Sequence, residues 1–172
     1  MDKHRLFDYF RFPDEESTRA YLEGRRWPFL GPICPGCGSG ERVATLGTCT
    51  TRKPGFYRCL PCGVHFTVRT NTVMERSRLP LYKWARAMFL LAKRSALLPP
   101  SCWPGGSCYA RWNSFAPTIG VTQKTGRFLL ERLWEACGEP YGQLEGLDEI
   151  ADAVLAYRPI PKSKSAKKRG IK

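Results

Sequence analysis

From Pro80 onward the apolar residues fall into a helical rhythm. Leu81, Trp84, Ala85, Met88, Phe89 and Ala92 occupy positions i, i+3, i+4, i+7, i+8 and i+11, one face of a helix, with Lys83, Arg86 and Lys93 on other faces. A second stripe, Leu129, Leu130, Leu133, Trp134 and Cys137, predicts a helix that begins after Gly120-Val121 with Thr122 as its N-cap. Between the two the rhythm fails. Pro99-Pro100, Pro104-Gly105-Gly106 and Pro117 forbid a long helix, so 94–119 reads as an irregular insert. Upstream, Phe12-Pro13-Asp14-Glu15-Glu16 reads as a helix start, with acids in the first turn, Gly24 as the stop, and Arg25 and Arg26 at the negative end of the dipole. The stretch after it has short strand-like runs instead. Glu41 to Leu46, Gly55 to Arg58 and His65 to Val68 predict three strands, the first two joined around a turn at Arg52-Lys53-Pro54-Gly55. The pattern as a whole predicts a small α+β fold: an N-terminal helix, a three-stranded antiparallel ribbon, then two or three helices.

The predicted strands flank two cysteine knuckles, Cys34-Pro35-Gly36-Cys37-Gly38 and Cys59-Leu60-Pro61-Cys62-Gly63. Two residues between cysteines is the spacing at which one tight turn aims both sulfurs at one metal. The chain between the knuckles is the right length for a hairpin to bring the second turn beside the first. Four thiolates fill a closed tetrahedral shell, which predicts one structural Zn2+ held by Cys34, Cys37, Cys59 and Cys62. Disulfide pairing is the competing reading, but no secretory segment opens the chain. A thioredoxin-like redox site would need one such motif on a βαβ unit, not two joined by strands. His65, three residues after Cys62, reads as an exposed strand residue, since four cysteines already complete the shell. Cys102 and Cys108 have a spacing that fits no common ligand pair and read as incidental.

Composition adds a partner class. The chain has 172 residues and a formal charge of +13. Seven bases and no acid lie from Arg158 to Lys172, whereas Glu131 to Asp152 is acidic. A surplus of this kind favours a polyanion, because each neutralised phosphate releases condensed counterions. The basic tail itself reads as a solvated, disordered end that adds nonspecific phosphate affinity. No apolar run approaches the roughly 20 residues that span a bilayer, so the expectation is a soluble, cytoplasmic protein with no membrane partner. A ribbon of about thirty residues buries little core and needs its metal to fold.

Gly120-Val121-Thr122 leading into Gln123-Lys124-Thr125 has the form of the turn and recognition-helix start of a helix-turn-helix. Helix N-terminal N–H groups meet phosphate, and Gln, Lys and Thr reach base edges. A capped surface helix packed on the helix at 81–92 accounts for the same spacing, and both readings stand at this point.

Taken together, Phe12-Pro13-Asp14-Glu15, the two knuckles, Tyr57-Arg58-Cys59 with Phe66-Thr67-Val68, Thr72-Val73-Met74-Glu75-Arg76-Ser77, Pro80-Leu81-Tyr82-Lys83-Trp84 and Gly120-Val121-Thr122-Gln123-Lys124-Thr125 resemble the head of zinc-ribbon transposases of bacterial insertion sequences. Those transposases carry a DDE catalytic core. The resemblance covers about residues 10–92 and 120–140. It implies zinc on the four cysteines and binding of double-stranded DNA at the element's ends by the ribbon and helix-turn-helix. Candidate DNA contacts are then Lys83, Arg86, Thr122, Gln123, Lys124, Thr125 and Arg127. It divides the chain into a helical lead-in over 1–30, a ribbon over 31–70, a helix-turn-helix-like region over 78–138, and the start of a catalytic domain with a basic tail over 139–172.

The chain departs from that family at the insert and at the core. Strand transfer by this class uses three well-separated carboxylates on two metal ions. Asp148-Glu149 sits near the place of the first, yet Asp148, Ile150, Ala151, Asp152, Val154 and Leu155 read as a helix, and no acid follows Asp152. The expectation is therefore a truncated, non-enzymatic DNA-binding head that neither cuts nor joins DNA. A stand-alone zinc-ribbon adaptor making protein contacts is the alternative, since fold alone does not choose between them.

Overall fold

Asp14 starts the first helix, α1 (Glu15–Arg26), as the sequence predicts. Its carboxylate accepts the Ser17 N–H at 2.7 Å and the Ser17 hydroxyl at 2.8 Å, which holds the carboxyl below its ordinary pKa. Gly24 does not stop the helix. The turn continues to Arg26 and closes where the Trp27 N–H meets the Glu23 carbonyl at 2.8 Å. A helical glycine costs only about 1 kcal/mol. The last turn is fixed from outside, by the buried Trp27 ring and by the bonds that Arg25 and Arg26 make to other elements. The computed structural model describes residues 12–29, 31–46, 54–95, 115–137 and 146–157.

Three short strands follow, β1 (Val43–Thr45), β2 (Tyr57–Cys59) and β3 (His65–Phe66), in one antiparallel sheet of order β1-β2-β3. Val43 pairs with Cys59, Ala44 with Arg58 and Thr45 with Tyr57; on the other side Tyr57 pairs with Phe66 and Arg58 with His65. The third strand ends at Phe66, short of the predicted Val68, because the Thr67 N–H turns to the Thr70 hydroxyl at 2.9 Å. Period-two alternation puts Tyr57, Cys59 and Phe66 on the buried side and Arg58 and His65 in solvent. Trp27 docks this buried side onto α1, its ring 5.6 Å from Tyr57 and 6.1 Å from Phe66 in edge-on geometry.

The loop from Thr67 to Pro80 is a polar clamp. Arg26 donates to the carbonyls of Val68 (2.6 Å) and Thr70 (2.8 Å), and Arg69 donates to those of Ser77 (2.9 Å) and Leu79 (2.7 Å). Arg69 also meets Glu15 at 2.9 Å. The other oxygen of Glu15 accepts the N–H of Leu81 at 2.6 Å and of Tyr82 at 3.4 Å, so α1 caps the next helix, α2 (Leu81–Ser95). Val73 and Met74 plug the loop into the core, and the Trp84 indole N–H reaches the Ser77 hydroxyl at 3.2 Å.

Three more helical segments complete the described fold: α3 (115–119), α4 (Gln123–Cys137) and α5 (Leu147–Ala156). The predicted irregular insert, 94–119, is helical at both of its described ends. Its first two residues finish α2 and its last five are helical; 96–114 lie outside the described residues. Helical periodicity fails in this insert because the prolines and glycines are concentrated upstream of Phe115, while Phe115, Ala116 and Ile119 bury a face of their own.

Helix α5 is the strand-or-helix question at Asp148 answered as helix. It buries Leu147, Ile150, Ala151, Val154 and Leu155, and packs on α1, α2 and α4. Among the described residues one hydrophobic cluster includes Trp27, Phe66, Trp84, Leu133 and Ile150. The basic tail over 158–172 lies outside the described residues.

Candidate metal centre

The two knuckles are copies of one backbone turn. In the first, the Gly38 N–H donates to the Cys34 carbonyl and the Cys34 N–H to the Ser39 carbonyl; in the second, Gly63 donates to Cys59 and Cys59 to Val64. All four bonds are 2.9 Å long. Each turn needs a left-handed residue after its second cysteine, and Gly38 (φ 75°) and Gly63 (φ 73°) supply it. The sheet then sets the two turns face to face. Sγ of Cys34 lies 3.5 Å from that of Cys62, and Sγ of Cys37 lies 3.5 Å from that of Cys59. All four sulfurs lie within 4.8 Å of one another. A tetrahedron with metal–sulfur bonds of about 2.3 Å has edges of about 3.8 Å, so the donor set fits a four-coordinate metal. The thiols are free, and no disulfide joins them.

The protonation of the cluster fits a cation as well. Burial pushes the Cys34 thiol up, but the N–H groups of Cys37 and Gly36 and the thiols of Cys62 and Cys59 aim at its sulfur and hold it at about 7. The Cys62 N–H pulls Cys59 down, yet burial and the sulfurs of Cys62, Cys37 and Cys34 outweigh it and push Cys59 up to about 12. Cys62 is also raised, the Val64 N–H and Cys59 being outweighed by burial and by the sulfurs of Cys34 and Cys37. One thiolate forms easily, and each further negative charge meets the first. A divalent cation at the centre reverses that penalty.

His65 is not part of the group. It stands on the solvent face of the sheet beside Arg58, and among the described residues the clustered donors are Cys34, Cys37, Cys59 and Cys62. Cys102 and Cys108 lie outside the described residues.

The remaining predicted site residues separate into two groups. Thr122, Gln123, Lys124, Thr125 and Arg127 gather at the start of α4. There α3 ends in a paired-bond turn, with Val121 N–H to Ala116 carbonyl at 3.0 Å and Gly120 N–H to Pro117 carbonyl at 3.1 Å, at a left-handed Gly120 (φ 76°). Thr122 then caps α4, its hydroxyl accepting the Thr125 N–H at 3.3 Å. A Cβ on Gly126 would lie 2.8 Å from that of Ala116, so the two helices touch through backbone. This leaves Gln123, Lys124 and Arg127 on the surface, Arg127 pairing with Glu131 at 2.9 Å. Lys83 and Arg86 each bond a backbone carbonyl of another segment. Lys83 donates to the Gly120 carbonyl at 2.8 Å, and Arg86 donates to the Phe12 carbonyl at 3.2 Å while lying over the Tyr82 ring.

Asp148 and Asp152 are likewise engaged. Tyr21 donates to Asp148 at 2.6 Å, and Arg25 grips Asp152 through two nitrogens, joining α5 to α1. Sequence reasoning missed the clamp of Arg26, Arg69 and Glu15, whose partners are mostly backbone carbonyls and N–H groups that leave no trace in residue type. Compared with models of known families, with curated proteins and with solved structures, the chain matches none. Among the described residues no helix is long and apolar enough to cross a membrane.

Proposed function

We propose that the chain is a zinc-binding, duplex-DNA-binding module, related to the head of zinc-ribbon transposases by the motifs set out above. Cys34, Cys37, Cys59 and Cys62 would hold one zinc ion as a structural centre, closing the sheet into a ribbon. The observation that carries the metal assignment is the set of four free thiols within 4.8 Å on twinned turns. The DNA assignment is supported by the turn between α3 and α4. Thr122 and the exposed Gln123, Lys124 and Arg127 stand at a helix N-terminus, where N–H groups suit phosphate and these side chains suit base edges. Their helix is held by the backbone contact of Gly126 with Ala116 and by Lys83 on the turn. On this reading catalysis is assigned to no residue; Asp148 and Asp152 bond Tyr21 and Arg25 of α1.

Native mass spectrometry with zinc, followed by a salt series on duplex DNA, tests both halves. One zinc is expected, lost on Cys34→Ser, with duplex affinity that falls steeply with salt and weakens on Lys124→Gln combined with Arg127→Gln. A bound zinc with no duplex affinity would leave the ribbon as an adaptor for protein contacts. Absence of zinc would overturn the reading.

A further inference from the structure

The outward face of the sheet carries a surface that the α4 reading does not use. The register sets Arg42 beside Leu60, Ala44 beside Arg58 and then His65, and Leu46 beside Phe56. These residues stand on the side opposite the buried Tyr57, Cys59 and Phe66. Phe56 remains 43% exposed and Leu60 53%, with Arg42, Arg58 and His65 in solvent around them. None of the seven is an acid, and among the described residues no ion pair engages Arg42 or Arg58.

Cations that no ion pair engages suit phosphate. The exposed phenylalanine narrows the ligand further. A duplex hides its base faces in the stack, so an aromatic ring on a flat sheet gains little from the phosphates of a double helix. An unpaired base presents its face, and stacking on an aromatic side chain is sequence-tolerant and strong. Strands about 4.8 Å apart put the Phe56 ring, the two guanidinium groups and the His65 ring within the span of a few nucleotides. We propose that this outward sheet face binds single-stranded nucleic acid, Phe56 stacking on a base while Arg58, Arg42 and His65 meet the flanking phosphates. The surface is separate from α4, so failure of duplex binding there leaves this proposal standing.

Fluorescence anisotropy with the full-length, zinc-loaded chain tests it. The probes are an oligo-dT of about 12 nucleotides and a mixed-sequence duplex, in about 0.2 M salt to suppress the contribution of the basic tail. Phe56→Ser is expected to weaken oligo-dT binding by about 5- to 150-fold and to leave duplex affinity within about twofold. Phe56→Trp should keep the oligo-dT affinity, and Arg58→Gln should reduce the salt slope on oligo-dT by about one. Lys124→Gln with Arg127→Gln should leave oligo-dT binding intact. Zinc stoichiometry checks that each variant is folded; should Phe56→Ser lose zinc, the tryptophan and Arg58 variants carry the test. Three results would overturn the proposal: no oligo-dT binding by the parent chain, equal losses on both probes with Phe56→Ser, or a Phe56→Trp chain no tighter than Phe56→Ser. Equal losses would make the face a duplex contact, and no binding would return Leu60 and Phe56 to a protein partner.

Discussion

The ribbon and the helices are held by different forces. Among the described residues between Pro32 and Phe66 the buried apolar side chains are Cys34, Tyr57, Cys59 and Phe66, and two of these four belong to the four-cysteine group. The helices by contrast interlock continuous stripes, with Trp84 and Met88 from α2, Leu129 and Leu133 from α4, and Ile150 and Val154 from α5 all withdrawn from water. Each such side chain stabilises by about 1.5–3 kcal/mol. The helical part therefore needs no cofactor to account for its core. On the proposed reading the three-stranded sheet closes at a point, its metal, where the helices have an area, and it borrows what remains from Trp27 of the α1 terminus. One chain thus combines a part whose stability should follow metal and pH with a part whose stability should follow packing.

The sharpest way to separate the two is to withdraw the metal. Structural zinc in small ribbons contributes about 10–16 kcal/mol at neutral pH, more than a sheet with four buried apolar residues supplies by itself. Chelation should abolish amide protection in β1 to β3 while α4 and α5 retain theirs, as read by hydrogen exchange. Uniform loss of protection across both parts would erase the distinction. Acid should act in the same direction. In the metal-free chain Cys59 keeps its proton at neutral pH, being pushed up to about 12, so binding must expel that proton and affinity rises with pH. Cys62, also raised, gives up a proton too, and below the Cys34 value of about 7 a further proton must leave. Metal affinity, followed by competition with a chromophoric chelator, should then fall more steeply below pH 7 than above it, by roughly tenfold per pH unit for each proton displaced.

The next largest effect belongs to the other half. Ile150 is fully buried on the face that α5 turns toward its neighbours. Ile150→Ala should cost about 2–5 kcal/mol of stability in denaturant titration, through lost burial and the cavity left behind. Zinc stoichiometry should stay at one. A metal-free Ile150→Ala chain would mean that the ribbon cannot close without the helical core.

The two parts were also unequally legible in the sequence. The cysteine spacing and the following glycines specified the knuckles because only a few backbone turns satisfy both, and the i, i+3, i+4 stripe specified α2 because burial has that period. The helix over Asp148 to Leu155 was readable for the same reason. The end of the third strand reads two residues too long because Thr67 and Thr70 exchange a bond that competes with the ladder, which residue type does not reveal. Gly24 misled because propensity is weak against docking of the next turn. The carbonyl bonds of Lys83 and Arg86 are not legible in the sequence, because a basic residue on a helix reads the same whether it meets phosphate or a carbonyl. Only the fold supplies the Gly120 and Phe12 carbonyls to which they donate.

The smallest predicted effect tests what joins the halves. Glu15 stands in the first turn of α1, pairs with Arg69 of the loop that leaves the ribbon, and caps α2 through the N–H groups of Leu81 and Tyr82. Its side chain is about half exposed, so the ion pair with Arg69 is screened and contributes little. The cap is the larger part, because it satisfies donors that the first turn of a helix leaves open. Glu15→Ala should therefore cost about 0.5–2 kcal/mol, and Glu15→Gln, which keeps an acceptor and loses the charge, should recover most of it. Thermal unfolding of the zinc-loaded chain followed by circular dichroism would measure both. A glutamine variant as unstable as the alanine variant would shift the weight to the charge, and so to the Arg69 pairing that ties the ribbon's exit loop to α1. Full recovery would make Glu15 a helix cap first, leaving Arg26 and the Trp27 ring as the main join between metal centre and helices.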